Sequence, residues 1–250
     1  MLKEERQQII LNLLAEKNII KISTIKKVID VTDMTIRRDL KDLEEHGFLT
    51  RIHGGAKNKD LTVPYELSHS EKRDLNINEK KYIAQLIANQ INDNDTIFLG
   101  TGTTIELVYD FIKSKNVKVI TNSIFVFDKF KNDLNYELIL IGGTFRSKAG
   151  AFIGAIANEQ LSSLYVQKSF ISVNAVDEFG IYNANEEEGI LQKNILNNSN
   201  VSYIISDSTK FNKQDFYRFS NLDEIDFLIT DNNLSEETLS QYLKRVNIIN

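Results

Sequence analysis

The chain has 250 residues, 42% hydrophobic and 26% charged, with a formal net charge of −5, which suits one small and one medium domain with buried cores. Cysteine is absent and the three histidines (His46, His53, His69) fall in the first third, so disulfides, thiol nucleophiles, thiolate zinc sites and a His-based metal site or triad in the larger part are excluded. No metal or cofactor is expected. No apolar run reaches the ~18 residues of a membrane helix and the N-terminus lacks a signal region, so a cytoplasmic chain that does not span a bilayer is expected.

In chain order, Ile9, Ile10, Leu13 and Leu14 recur at helical spacing and predict a helix over Glu5–Glu16. The run Ile19–Ile22 reads as a short strand. Ser23 is expected to cap a second helix carrying Ile25, Val28 and Ile29, and Thr32 a third with Ile36, Leu40 and Leu43 on one face. Gly47 stops that helix, Phe48–His53 reads as a strand and Gly54-Gly55 as a turn. Three helices and a hairpin over residues 1–57 outline a winged helix-turn-helix domain. Its eleven Lys and Arg against nine Asp and Glu make it the mildly basic head of an acidic chain, the end that a polyanion would meet.

Residues 58–75, around the only proline, Pro64, have linker composition. Residues 76–250 then alternate helix and strand. Helices are predicted over 79–91, 103–113 and 123–131, and strands over 96–99, 117–120, 138–141, 169–173, 202–205 and 226–229. Short apolar strands separated by helices predict an α/β domain with a mostly parallel sheet.

Two constellations carry chemistry. On the third predicted helix, Met34, Thr35, Arg37, Arg38 and Lys41 lie away from the apolar face. An arginine pair there can reach guanine edges or clamp phosphates, and the plainer alternative pairs both arginines with Asp39 and Asp42. Arg51 and Lys57, on and after the wing, add phosphate candidates. In the larger domain, a strand runs into Gly100-Thr101-Gly102-Thr103-Thr104, where free N–H groups at a helix start attract an anion. No P-loop lysine follows, so nucleotide hydrolysis is not expected. Other strand ends carry Gly142-Gly143 with Arg146, expected on a mobile loop, and Asp207-Ser208-Thr209-Lys210. Each has a bland reading as turn glycine, cap or exposed lysine, but together they can cradle a small phosphorylated anion.

Together these residues resemble the DeoR family of bacterial sugar-responsive repressors over nearly the whole chain. Thr35–Leu40, Leu43-Glu44, Gly47 and Arg51–Ala56 are similar to its DNA-binding signature. Glu79-Lys80, Gly102-Thr103-Thr104, Thr121-Asn122-Ser123, Gly142-Gly143, Gly154 and Asp207–Lys210 are similar to its sensor domain. The resemblance implies an N-terminal winged helix-turn-helix and a Rossmann-like sensor related to phosphosugar isomerases, with double-stranded operator DNA and a phosphorylated sugar inducer as partners. It adds Ser23, Thr32 and His53 to the DNA-facing set, and Asn122, Asn174 and Glu188 to the ligand-facing set. Gly100 and Gln167 stand where many members have Asp, which alters the expected sugar contacts. The local text looks closest to the lactose phosphotransferase subgroup, which implies tagatose 6-phosphate as inducer. A helix-turn-helix module reads paired half-sites, so a homodimer or homotetramer is expected. The competing reading is a phosphosugar isomerase with a DNA-binding head, using Glu188, or Asp207 with Lys210, as general base.

Overall fold

The computed structural model describes residues 2–17, 19–58 and 66–250, which fall into two compact units, 1–65 and 66–250. The first comprises α1 (Lys3–Lys17), β1 (Ile19–Lys21), α2 (Ile22–Val28), α3 (Asp33–Glu45), β2 (Leu49–Ile52) and β3 (Gly55–Asn58). Its strands form an antiparallel sheet in the order β1-β3-β2, so the short run after α1 completes the wing. Ile10, Leu14, Ile25, Ile36, Leu40, Leu43 and Leu49 make the core, as the helical periodicity requires. The Thr32 hydroxyl caps α3, accepting from the Thr35 N–H at 3.3 Å. At the other end the Phe48 N–H bonds the Leu43 carbonyl at 2.8 Å and Gly47 takes φ 81°, a Schellman stop. Ser23 is not the cap of α2. That helix starts at Ile22 with Lys21 at its N-cap, because burying Ile22 draws the first turn into the core.

The second unit opens with α4 (His69–Arg73), α5 (Ile77–Ala88) and β4 (Thr96–Leu99), then α6 (Thr103–Glu106), β5 (Val117–Thr121), α7 (Ile124–Phe130) and β6 (Tyr136–Leu140). A hairpin, β7 (Thr144–Arg146) and β8 (Ala151–Ile153), leads to α8 (Ala155–Ser162) and β9 (Val166–Ser172). Next come β10 (Ala175–Val176), β11 (Ile181–Asn183), α9 (Glu186–Asn197) and β12 (Ser199–Ile205). β13 (Tyr217–Ser220), β14 (Phe227–Ile229), α10 (Glu236–Tyr242) and β15 (Asn247–Ile249) complete it. Seven strands form one parallel sheet in the order β15-β14-β12-β9-β4-β5-β6. Helices cover both faces: Ile97 and Leu99 of β4 pack with Ile83 and Ile87 of α5, while Phe98 packs with Leu161 of α8 and Ile195 of α9. The chain winds outward from β4 in one direction and from β9 in the other. The topological switch point therefore lies between those two strands, where open α/β sheets bind ligands beyond the carboxyl ends.

Three sequence expectations change. The helix expected over 103–113 is one α turn followed by a 3₁₀ turn over Leu107–Asp110, since Thr103, Thr104, Ile105 and Val108 are β-branched and resist a longer α-helix. The segment from Glu66 onward, read as linker, belongs to the second unit and carries α4, closed by a Ser68–Glu71 capping box. His69 accordingly lies in the larger unit. Gln167 is remote from the strand ends that face a ligand, because its side-chain Oε1 accepts from the N–H of Thr96 at the first residue of β4. No helix among the described residues is long and apolar enough to cross a membrane.

Candidate functional site

On the first unit, the acidic partners that could neutralise the α3 arginines are already taken. Asp39 is buried and receives a two-point contact from Arg6 of α1, Nε–Oδ2 2.7 Å and Nη2–Oδ1 3.0 Å. Asp42 pairs with Lys3 at 2.5 Å, which holds its carboxyl below the usual range. Among the described residues Arg37 and Arg38 have no ion-pair partner and are exposed. Met34 beside them is 75% exposed, and Thr35 is half-buried under the cap. Thr32 lines an open groove with Lys26, Asp33, Met34 and Arg37 at the α2–α3 turn. Lys41 is exposed and lies 3.6 Å from Glu45. Ser23, His53 and Lys57 are exposed, with His53 at the wing tip next to Gly54. Arg51 differs from expectation: its Nε bonds Glu44 at 2.6 Å, so the wing base holds it against α3.

The ligand-facing candidates of the second unit gather at the carboxyl edge of the sheet. After β4, Gly102 takes φ 135°, and a Cβ there would lie 2.8 Å from Cβ of Ser172 at the end of β9. Only glycine fits this close approach, which closes the switch point. Thr103 and Thr104 follow, both buried. Gly100 donates its N–H to the Phe170 carbonyl at 3.0 Å and belongs to the β4–β9 ladder. Asn122 is a wall residue, its side chain donating to the Phe152 carbonyl at 3.0 Å. Gly143 packs on the Ile153 carbonyl of β8. From the end of β12, Lys210 donates to the Val173 carbonyl at 2.8 Å and lies 3.8 Å from Asp207.

Two further lysines join Lys210, and sequence reasoning had assigned neither to the site. Lys80, only 4% exposed, donates to the Lys72 carbonyl. Lys72 donates to Oδ1 of Asn174 at 3.3 Å, while Nδ2 of Asn174 holds Asp215 at 3.0 Å. Burial and then the charge of Lys210 push the Lys80 ammonium down to about 8, and the same two causes lower Lys72. Asp207 stays below the carboxylate range despite its burial because Lys210, Thr209 and Lys80 hold its charge. Mutually repelling, partly desolvated ammonium groups at a switch point are an arrangement that an anion relieves. Lys80 was legible: it precedes Ile83, Ala84 and Ile87 by three, four and seven residues and so falls on the buried stripe of α5. Lys72 was hidden in a segment of linker composition.

Arg146 is not on a loop. It lies in β7, its side chain 17% exposed, bound by Glu66 and 3.4 Å from Oε2 of Glu188. Glu188 is in the first turn of α9, its N–H capped by Asn185 at 3.0 Å. Its carboxylate is buried with Oε1 unpartnered among the described residues, and burial pushes the group up to about 7 against the pull of Arg146. A carboxyl raised in the folded state costs nothing below its unfolded value of 4.5, and the cost builds until pH passes 7. Glu188→Gln should therefore stabilise the fold by up to about 3 kcal/mol at pH 8 and by much less at pH 4.5. Denaturant titrations at the two pH values check this, and equal gains at both would refute it.

Most of these residues lie within regions of known type, with Glu66 and Lys72 in the stretch between the two. Residues 6–62 match the DeoR-like helix-turn-helix domain and residues 75–232 the DeoR C terminal sensor domain. The chain is 38% identical to a lactose phosphotransferase system repressor of Streptococcus mutans, over all of both chains. It is 39% identical to the protein of that name in Lactococcus lactis, over 100% of this chain and 99% of the other. Among solved structures, ribose 5-phosphate isomerase from Plasmodium falciparum aligns at 19% identity and a TM-score of 0.38, over 53% of this chain and 52% of that one.

Proposed function

The chain belongs to the DeoR family, and from that premise we propose a DNA-binding repressor of a sugar-catabolism operon that a phosphorylated sugar releases from its operator. The relatives named above point to a lactose phosphotransferase operon, and tagatose 6-phosphate is the inducer we propose. The protein acts in the cytoplasm as a homodimer or homotetramer, pairing two α3 helices with two half-sites.

The observation that carries this reading is the convergence of Lys72, Lys80 and Lys210 at the switch point of the sheet, where Lys72 bonds Asn174, Lys210 bonds the neighbouring Val173 carbonyl and Lys80 bonds the Lys72 carbonyl. The phosphate is held there by the lysines with the Gly102–Thr104 turn. Because α6 is a single turn, its dipole contributes less than side-chain charge. Asn174, Arg146 and Glu188 face the sugar, whereas Gly100, Asn122 and Gly143 shape the wall. On the first unit, Met34, Thr35, Arg37, Arg38 and Lys41 face the operator, flanked by Ser23, Thr32, His53 and Lys57. Arg51 supports the wing through Glu44. Thermal-shift and operator-release assays against a panel of sugar phosphates test the assignment, since a ligand at a hundred times its Kd stabilises by ~2.7 kcal/mol. No shift and no release with any phosphorylated sugar refutes it.

The lowered Lys80 makes the affinity depend on pH. An ammonium that discharges near 8 in the free protein recharges beside a bound phosphate, so binding takes up a proton above that pH. Affinity for the sugar phosphate should be level from pH 7 to about 8, then weaken by as much as tenfold per unit. Calorimetry in buffers of different ionisation enthalpy reads the proton uptake, and a level affinity up to pH 9 removes Lys80 from the site.

A second reading, isomerisation of the bound phosphosugar, draws on Glu188, whose buried carboxyl near 7 is suited to general base work. Turnover of aldose and ketose phosphates by the full chain decides between the two. The repressor reading expects none.

A further inference from the structure

The second unit begins at Glu66, and residues 66–73 form a strap with both ends fastened to the charged site. At one end the Glu66 carboxylate engages both terminal nitrogens of Arg146, with Nη1–Oε1 at 2.9 Å. Burial disfavours the Glu66 charge, yet Arg146 outweighs it and keeps the carboxyl below the usual range. At the other end Lys72 bonds Asn174 through its ammonium and Lys80 through its carbonyl. Between them His69 is buried, stacked on Phe125 at 3.7 Å and 3.0 Å from Glu106. The strap thus has a packed centre and two polar ends, each held by a residue assigned to the ligand.

Arg146 is shared between two carboxylates, and the closer contact goes to the strap. Among the described residues Glu188 has no partner for Oε1, although a buried carboxylate oxygen gains from any donor within reach. A guanidinium presents a planar fork of donors suited to two oxygens of one group. Glu66 occupies that fork here, as an oxygen-rich ligand would.

We propose that Glu66 is an internal competitor of the inducer for Arg146, so that ligand binding unfastens the strap from the sensor and alters the DNA-binding unit that precedes it in the chain. This rests on the inducer reading above. With Glu66 on Arg146 and Lys72 on Asn174, the strap is fastened and the protein is in its operator-binding state. A phosphosugar offers phosphate to Lys72, a hydroxyl donor to Glu188 and oxygens to Arg146, replacing both fastenings in one event. The fastened and unfastened states are exclusive, so removing Glu66 moves the two affinities in opposite directions, toward the ligand and away from the operator.

Full-length Glu66→Ala and Glu66→Gln test this with two separate measurements, operator affinity without sugar and tagatose 6-phosphate affinity without DNA. The expected result is about tenfold weaker operator binding with about tenfold tighter sugar binding. A merely structural role moves both affinities in the same direction and lowers the thermal midpoint. Unchanged operator affinity in Glu66→Gln, or parallel loss of both affinities, overturns the proposal. The wild-type calorimetry is the arm that reads the inducer assignment itself. If wild-type protein binds no sugar phosphate, that assignment fails and the proposal falls with it; if wild type binds and the variants behave as wild type, only the strap is wrong.

Discussion

Replacing Arg37 or Arg38 with Ala should weaken operator binding about ten- to hundredfold while leaving the fold intact. Both side chains project from a capped helix whose opposite face, Ile36, Leu40 and Leu43, is buried. Neither arginine makes a close ion pair among the described residues, because Arg6 takes Asp39, Lys3 takes Asp42 and Lys26 takes Asp33, the last two feeling Arg38 and Arg37 only at longer range. Truncation therefore strands no buried charge, and the unfolding free energy should change by less than ~0.5 kcal/mol. The two arginines need not act alike. One that reads a base edge loses discrimination between operator and scrambled DNA, at ~1–3 kcal/mol per contact. One that clamps a phosphate weakens all sequences equally and lowers the salt slope by about one. Titrations at several salt concentrations on both DNAs sort these roles. Unchanged operator affinity in both variants, with circular dichroism intact, removes α3 as the recognition helix. Arg51→Ala provides the contrast: its bond to Glu44 predicts a loosened wing and a smaller loss of binding.

Lys210→Ala should bind operator normally and need ten to a hundred times more sugar phosphate to release it. A hydrogen bond to a charged group contributes ~1.5–3 kcal/mol, or one to two decades in affinity. Losing Lys210 also removes a charge that lowers Lys80 and Lys72. Both remaining ammonium groups then hold their protons to higher pH. The fall in sugar affinity that begins near pH 8 in the wild type should accordingly start later in the variant. A purely structural Lys210, tying the Val173 carbonyl, would lower stability without raising the sugar phosphate concentration that release requires. The dephosphorylated sugar should fail with either protein, since the lysines would have no anion to meet. Release by free sugar at the concentration that its phosphate needs, or a normal response from Lys210→Ala, defeats the phosphate site.

The parts legible in the sequence are those set by contiguous residues. Helical spacing placed Ile36, Leu40 and Leu43 in the core and so turned Arg37 and Arg38 outward. Short runs rich in apolar residues marked β4, β5 and β12, and Gly100–Thr104 and Asp207–Lys210 marked the turns beyond β4 and β12, because a strand covered on both faces is dominated by apolar side chains. Tertiary structure decided which charged groups meet. Glu66 and Arg146 are 80 residues apart, and Lys72 and Asn174 are 102 apart; no local pattern encodes such pairs. The strand order that puts β9 beside β4 brings them together, and burial at that junction, rather than residue type, moves Lys80 and Glu188 from their ordinary protonation. Arg146 looked free in the sequence because its partner lay in a stretch of linker composition. Composition reports that a segment is polar, but only the packed sheet supplies the opposite charge that holds it.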